Sequence, residues 1–213
     1  MNKKIVDKFL VIAIDGPASS GKGTLAKKIA AHFNLPYLNT GALYRLIAWR
    51  IIDQKIAPNN FAIHLENLVK NISATDLENE DLFDEEVGSL ASVIAKDKNL
   101  RAALLDFQKN FVAKSKKEKN GCVLDGRDTT TVICPDANYK FFVTAAVEIR
   151  AQRRAQQLKT SYEEILAQLK KRDENDFNRQ DAPLKISADA HVIDNGNLSI
   201  DEGFKKILKI ISA

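Results

Sequence analysis

The chain has 213 residues, enough to bury the core of one domain that carries an insert or a lid. Hydrophobic residues make up 45% and charged residues 28%, as in soluble globular proteins, and no apolar run approaches the roughly 20 residues that span a bilayer. The net charge of +4 suits a protein that handles small polyanions and is too weak by itself to indicate nucleic-acid binding. The N-terminus lacks the apolar segment of a signal peptide, so we expect a cytoplasmic protein that does not bind membranes.

The cysteines and histidines do not indicate a metal site. Cys122 and Cys134 each lie in or beside an apolar segment, which favours buried free thiols over a disulfide or a metal-binding pair. The three histidines lack partners at metal-ligand spacing. We therefore predict that all three are structural or surface residues.

The strongest local signal is residues 12–24, IAIDGPASSGKGT. An apolar run over 9–14 predicts a strand buried on both faces of a parallel sheet, and apolar residues at helical spacing predict a helix beginning near Lys22. Between them, Gly16, Gly21 and Gly23 allow backbone N–H groups to converge on an anion at a helix N-terminus. Lys22 adds a mobile cation. The segment therefore predicts a nucleotide-phosphate site of the G-x-x-x-x-G-K type rather than a glycine-rich turn without a ligand.

The residues of this predicted loop are Gly16, Pro17, Ala18, Ser19, Ser20, Gly21, Lys22, Gly23 and Thr24. Gly23 stands where the pattern usually has a hydroxyl residue, and Thr24 follows it. This GKGT ending is typical of nucleoside monophosphate kinases.

The next segments predict a short strand over 35–38 and a helix that continues to about Asp53. Thr40 is placed to cap this helix, and that structural role alone would explain it. Arg45, one turn into the helix, reaches either the cleft above the loop or solvent. From about residue 55 the chain becomes rich in Asn, Glu and Asp, which predicts an insert containing a short helix over 61–69 and an acidic loop over 73–84.

The second half of the chain returns to alternating strands and helices. A helix is marked by apolar residues from 100 to 111, and strands are predicted over 121–124, 139–143 and 191–193. The first of these strands delivers DGRD, residues 125–128, to its carboxyl end, where open α/β sheets form their ligand crevice. A helix from Tyr162 leads into RDENDFNR, residues 172–179, whose few core-forming residues predict a mobile lid, with a solvated helix end as the alternative.

GPASSGKGT, LNTGALYR, LDGRDTTTVICPDA and RDENDFNR occur in that order, and with them the chain resembles the bacterial cytidylate kinases over essentially its whole length. The resemblance implies an α/β fold with a five-stranded parallel sheet surrounded by helices. It implies one domain, with a core of residues 1–54, 96–158 and 182–213, a monophosphate-binding insert over about 55–95 and a lid over about 159–181. The implied reaction is phosphorylation of CMP and dCMP by ATP with Mg²⁺.

The resemblance also assigns individual residues. Lys22 would hold the ATP phosphates, and Thr24 would bind phosphate or the water shell of the metal. The implied acceptor residues are Thr40 and Arg45 at the monophosphate, Ser92, Arg101 and Asp128 at the cytosine, Arg127 and Arg179 at the phosphates, and Arg172 with Asp176 at the ribose. The implied catalytic set is Lys22, Arg127, Asp128 and Arg179.

Four departures from the family pattern stand out. Thr40 replaces the family's serine, Thr130 replaces a frequent glycine, and Asn175 replaces a frequent arginine of the lid. The segment 71–87 is too short and too polar for the small antiparallel sheet that many relatives carry. We therefore expect helical or loop-like structure there.

Two alternative functions remain open at this point. One is a kinase of the same fold with another acceptor, such as AMP, UMP or shikimate, and the other is a nucleotide-hydrolysing switch that signals to a partner. Four arginines, at positions 45, 127, 172 and 179, favour a second phosphorylated substrate and so disfavour the switch. We expect a monomer whose partners are the nucleotides ATP, CMP and dCMP.

Overall fold

The structure is a computed structural model that describes residues 9–212. Its helices and strands alternate along most of the chain. In order they are β1 (Leu10–Asp15), α1 (Lys22–Phe33), β2 (Tyr37–Asn39), α2 (Thr40–Asp53), α3 (Leu65–Val69), α4 (Glu85–Ile94), α5 (Lys98–Lys119), β3 (Gly121–Gly126), β4 (Tyr139–Thr144), α6 (Val147–Leu158), α7 (Tyr162–Asn178), β5 (His191–Asp194) and α8 (Ile200–Ile211). Residues 1–8, on which the expectation about a signal peptide rests, lie outside the described residues.

The five strands form one parallel sheet in the order β2-β3-β1-β4-β5, which confirms the predicted fold class. β1 lies at the centre, and both faces of the sheet are covered. Ile12 and Ile14 pack into a core shared with α1 and α8, whereas Val11 and Ala13 belong to a second core that includes Val112 of α5. This two-sided burial explains why β1 reads as an unbroken apolar run.

The central position of β1 decides where a ligand can bind. Its register places Asp15 beside Gly126 of β3 on one side and Phe142 of β4 on the other. The loop after β1 therefore leaves the sheet at the middle of its carboxyl edge, next to the loop after β3. This is the position at which open α/β sheets bind ligands.

The insert is built from helices and turns, as expected. Residues 55–95 contain 3₁₀ turns at Phe61–His64, Thr75–Glu78 and Glu80–Phe83 together with α3 and α4, and none of them lies in a strand. Buried residues of α2, α3, α4 and α5 form a separate core beneath the insert. The acidic segment that we predicted as a loop is therefore a pair of short turns packed on a helical layer.

The cysteines and the segment before Arg179 test two further predictions about local structure. Cys122 and Cys134 are free and buried, as predicted. The stretch 172–178, which we predicted to be lid, continues α7 as regular helix to Asn178. No helix of the described residues combines the length and the apolar character that crossing a membrane requires.

Arg50 of α2 anchors the insert. Its Nη1 donates to the carbonyl oxygens of Leu68 at 2.7 Å and Lys70 at 2.9 Å, and its Nη2 lies 3.3 Å from a carboxylate oxygen of Asp76. A helix as short as α3 leaves its last carbonyl groups without partners inside the helix. The guanidinium supplies those partners and binds the following 3₁₀ turn at the same time.

We expect Arg50→Leu to loosen the insert without unfolding the core. The variant should lose about 1–3 kcal/mol of unfolding free energy, the range for hydrogen bonds from a charged group, measured by urea titration. Amide hydrogen exchange should accelerate over residues 65–78 and stay unchanged in β1 and β3. Lys109→Leu, on the exposed side of α5, is the control and should change neither quantity.

Candidate functional site

A cleft of about 1130 Å³ opens at the carboxyl edge of the sheet. Its walls come from the loop after β1, the helix α4 of the insert, the segment after β3, the facing sides of α6 and α7, and the segment after β5. This volume lies at the upper end of the roughly 300–1,000 Å³ of pockets for one drug-sized ligand.

The loop after β1 forms one wall through residues 18–24, whereas Gly16 and Pro17 are buried and are not part of the wall. Gly16 is required because a Cβ atom there would lie 2.0 Å from the carbonyl oxygen of Val143. Gly21 has a φ of 87°, and a Cβ atom there would lie 2.5 Å from Nδ2 of Asn195. That Nδ2 atom donates to the Ser20 carbonyl at 2.9 Å, so the segment after β5 holds the loop in place.

Positive charge is concentrated at the same wall. Lys22 is buried, and its Nζ donates to the Pro17 carbonyl at 3.2 Å. Burial, followed by the nearby Arg127, lowers the pKa of Lys22 to about 7. Burial and Arg127 also lower the pKa of Arg172 to about 10. A polyanion bound among these cations would remove their mutual repulsion, so the donor set fits the phosphates of a nucleotide.

The polar stretch of α7 is tied to the core by buried ion pairs. Arg127 Nε donates to Asp176 Oδ2 at 2.6 Å. Arg150 of α6 donates to both carboxylate oxygens of Asp173, at 3.2 and 2.5 Å, and to the carbonyl oxygen of Ala18 in the phosphate loop at 2.9 Å. One buried guanidinium thus joins α6, α7 and the phosphate loop.

A second charged cluster lies beside the cleft. Arg101 Nη2 donates to Asp128 Oδ2 at 2.5 Å, and Arg179 Nη2 lies 3.9 Å from Asp128 Oδ1. The three side chains are only 8–11% exposed. Burial raises the pKa of Asp128, and the two arginines offset part of that rise. The structure therefore brings together three of the residues that the resemblance assigned to the acceptor.

The other acceptor residues are placed differently. Ser92 lies on the cleft wall, where its hydroxyl donates to the carbonyl of Gly88 within α4. Arg45 also lines the cleft, but its Nη1 donates to the carbonyl oxygens of Leu82 at 2.6 Å and Asp84 at 3.2 Å. Arg45 is therefore directed toward the insert in this structure.

The prediction that Thr40 caps α2 is wrong. Asn39 is the cap, with its side chain accepting from the backbone N–H of Ala42 at 3.2 Å, and Thr40 is the first residue of the helix. The Thr40 hydroxyl donates instead to the carbonyl of Asp125 at 2.9 Å. Asparagine is among the best capping residues, so Thr40 is left free to hold the end of β3.

Sequence analysis missed Asp15, the last residue of β1. Its carboxylate is completely buried and accepts four hydrogen bonds, from the backbone N–H and the hydroxyl of both Thr129 and Thr130, at 2.6–2.8 Å. These bonds hold the single π-helical turn Thr129–Ile133 that follows Asp128. Thr130, which departs from the family's glycine, supplies two of the four donors, and its hydroxyl is the one that a glycine would lack.

Tyr37 was missed as well, and Asp125 was selected only as part of DGRD, without a role. Asp125 is buried at the cleft wall, and one of its carboxylate oxygens accepts from the Tyr37 hydroxyl at 2.5 Å. Asp15 ends a buried strand, so the rule that selected DGRD could have selected it too. No sequence signal indicated Tyr37 or Arg150.

Few groups in the cleft are able to hold a metal ion. Thr24, the predicted metal residue, is exposed at the start of α1, and the carboxylates that line the cleft are those of Asp125 on β3 and of Glu85 and Glu86 on α4. Across residues 9–212, His, Cys, Asp and Glu side chains form no group of three or more that could bind a metal. Mg²⁺ is commonly bound by one or two carboxylates together with waters and substrate phosphates. The donor groups of the cleft fit this coordination preference.

We expect Thr130→Val to cost about 1–3 kcal/mol of unfolding free energy, because it removes a donor from the buried Asp15 carboxylate while keeping the side-chain shape. Thr131→Val is a matched control, since the buried Thr131 Oγ1 makes no hydrogen bond within the described structure. That variant should be neutral or more stable. Chemical denaturation of both proteins measures the difference, and equal changes would show that the bonds to Asp15 contribute little.

Comparison with known proteins gives the family. A family model described as Cytidylate kinase matches residues 12–213. The cytidylate kinase of Azorhizobium caulinodans is 44% identical over 212 residues, which cover 95% of this chain and 98% of that protein. The cytidylate kinase of Paramagnetospirillum magneticum is 43% identical over 208 residues, with the same two coverages.

Solved structures agree on the fold. A sugar kinase from Janibacter is 12% identical with a TM-score of 0.52, over 96% of this chain and 95% of that chain. A shikimate kinase from Bacteroides thetaiotaomicron is also 12% identical, with a TM-score of 0.50 over 96% and 99%. At these identities the likeness concerns the fold alone. The sequence matches decide the family: this chain belongs to the cytidylate kinases.

Proposed function

We propose that the protein transfers the γ-phosphoryl group of ATP to CMP and dCMP, giving ADP with CDP or dCDP. Family membership supports the cytidine acceptor. The observation that carries the proposal is a cleft with a phosphate loop on its wall and, beside it, a buried carboxylate, Asp128, paired with Arg101 and 3.9 Å from Arg179. The first feature suits a triphosphate donor, and the second suits a base with an amino group beside ring acceptors.

The donor would lie along residues 18–24, with its phosphates on the backbone N–H groups and on Lys22. Phosphoryl transfer depends mainly on alignment and charge neutralisation, so it needs no covalent intermediate. Arg127 and Arg172, which crowd Lys22, supply further positive charge for the transferring group. Mg²⁺, when bound, would neutralise donor phosphate oxygens, and Thr24 and Asp125 are the residues that would hold it or its waters.

The acceptor would lie between α4 and the Asp128 cluster. Cytosine presents an exocyclic amino donor beside two acceptors, so Asp128 would accept from the amino group and Arg101 would donate to the ring. Ser92 can donate or accept and suits either edge. Uracil reverses the pattern at both positions, which leaves buried polar groups mismatched.

The remaining acceptor contacts follow from the arrangement around α2 and α7. Arg172 and Asp176 would bind the ribose, and Arg179 with Arg127 would bind phosphate. Thr40 and Arg45 would contact the monophosphate. To make that contact, the Arg45 side chain would release the carbonyl groups of the insert and change rotamer toward the acceptor. The helix α2 that carries it would not need to move.

We assign residues 55–95 to the acceptor insert and residues 159–181 to the lid. Because Asp173 is held by Arg150, closure would pivot near the middle of α7 and move the following turn and residues 179–181. Closure of such a lid excludes water from the phosphoryl group. The predicted ordering of the lid by substrates remains a prediction.

Two other functions are less well supported. A kinase of the same fold that phosphorylates UMP, AMP or shikimate would not need Asp128 between two arginines. A nucleotide-hydrolysing switch would not need the acceptor half of the cleft. An assay of ADP release with CMP, dCMP, UMP, AMP, shikimate or no acceptor separates the three, since a switch turns over without an acceptor.

In that assay we expect UMP to be a poorer acceptor than CMP by a factor of roughly ten to several hundred, because two buried polar pairs are mismatched. Asp128→Ala should lower kcat/KM for CMP far more than for UMP, so the ratio of the two kcat/KM values should decrease. Asp136→Ala, which removes an exposed carboxylate nearby, should leave both values unchanged. Equal losses for CMP and UMP in Asp128→Ala would contradict the base-reading role.

We expect nucleotide binding to take up a proton at Lys22. With a free-state pKa of about 7, Lys22 is mostly neutral at pH 8, and bound phosphates favour its charged form. Affinity for ATP should therefore fall as pH rises above 7, by up to about tenfold per unit, and stay level below 7. Calorimetry at pH 8 in buffers of different ionisation enthalpy measures the uptake.

The variants for this test are Lys22→Met and Lys28→Met, both in α1. Lys22→Met should abolish the proton uptake, whereas Lys28→Met, whose partner Asp201 lies on α8 at the surface, should retain it. Uptake that persists in Lys22→Met would show that another group takes the proton.

A further inference from the structure

We propose that Tyr37 is a positioning residue that orients the Asp125 carboxylate toward the metal ion bound with the donor nucleotide. The inference rests on the proposed function, because it requires a triphosphate donor with Mg²⁺ at the loop after β1. It adds a residue to that site on the grounds of geometry, and it accounts for the glycine in the unusual GKGT ending of the loop.

A hydrogen bond from Tyr37 holds the Asp125 carboxylate in one orientation. Tyr37 begins β2, and in the parallel register it lies beside Val123, two residues before Asp125 on β3. Its side chain extends toward the carboxyl edge of the sheet, and its hydroxyl donates to Asp125 Oδ1 at 2.5 Å. This bond occupies one carboxylate oxygen and fixes the rotation of the group. The other oxygen, Oδ2, is therefore presented in one direction.

The Oδ2 atom of Asp125 lies close to Gly23 of the phosphate loop. A Cβ atom on Gly23 would lie 3.5 Å from Asp125 Oδ2 and 3.7 Å from the Tyr37 hydroxyl. In the common phosphate loop this position carries a serine or threonine whose hydroxyl binds Mg²⁺. Here Gly23 has no side chain, and the Asp125–Tyr37 pair occupies the adjacent space. A carboxylate oxygen thus lies in van der Waals contact with the position at which the common loop begins its hydroxyl side chain.

The Tyr37 hydrogen bond also suits a metal ligand, because a donor to a carboxylate favours its ionised form, which is the form that binds a cation. Tyr37 therefore favours both the charge and the orientation of Asp125 that a metal ion needs.

The test uses Tyr37→Phe and measures metal binding without catalysis. Mn²⁺ is titrated into the full-length protein saturated with ADP, and free Mn²⁺ is followed by electron paramagnetic resonance. We expect Tyr37→Phe to weaken Mn²⁺ binding about tenfold, the effect of one hydrogen bond to a charged group, while metal-free ADP affinity stays within about twofold. The ring remains packed on the central core, so the variant retains its fold, as a thermal melt would verify.

Tyr139→Phe is the matched control, because the Tyr139 hydroxyl also donates a hydrogen bond, to the carbonyl of Ile211 at 2.9 Å, away from the cleft. It should leave Mn²⁺ binding unchanged. Asp125→Asn separates the positioning role of Tyr37 from the metal-binding role of Asp125. If Asp125→Asn weakens Mn²⁺ binding and a folded Tyr37→Phe does not, the positioning role is overturned and the metal role of Asp125 stands.

If Asp125→Asn also leaves Mn²⁺ binding unchanged, both the positioning role and the metal assignment of Asp125 fail. The proposed phosphoryl transfer would then be tested by the assay of ADP release with different acceptors alone. Equal losses of metal-free ADP affinity and Mn²⁺ affinity in Tyr37→Phe would show a general structural role, which also overturns the inference.

Discussion

Buried pairs of arginine and aspartate hold the cleft together. Arg150 binds Asp173, Arg127 binds Asp176, and Arg101 binds Asp128, and each pair joins two different elements. A buried charge that loses its partner is strongly destabilising, so these pairs fix how α7 and the end of β3 lie relative to each other. In the proposed function, phosphate and cytosine would offer these arginines and Asp128 alternative partners. Substrate binding and lid position would then use the same set of interactions.

The Asp15 carboxylate works differently. Its four donors are the backbone N–H groups and hydroxyls of two threonines, all buried. The turn after Asp128 is thus held within the protein, while in the proposed function a substrate would replace the partners of Asp128 itself. The backbone of this segment would then stay fixed while the Asp128 side chain exchanged partners.

The insert has the same combination of fixed and exchangeable contacts. Arg50 and Arg45 both extend from α2 and donate to carbonyl groups of the insert. Arg50 contacts the far side of the insert, away from the cleft wall, whereas Arg45 lines the cleft and lies against Gly88 of α4, where a Cβ atom would be only 2.5 Å from Nη2. If Arg45 contacts the acceptor phosphate as proposed, that contact would compete with its bonds to the insert.

The sequence by itself determined the strand, loop and helix around Lys22 and the family, because these depend on local periodicity, on glycine conformations and on the order of motifs. The five-stranded parallel sheet was implied by the resemblance to that family, and the polar composition of the insert excluded strands there. Only the tertiary structure decided that Asn39 rather than Thr40 caps α2, that Arg45 turns to the insert, and that Tyr37 meets Asp125. Asp15 and Thr130 are 115 residues apart in the chain, and no local pattern encodes their bond. Such contacts arise only when packing of the sheet brings the carboxyl ends of separate strands to one edge.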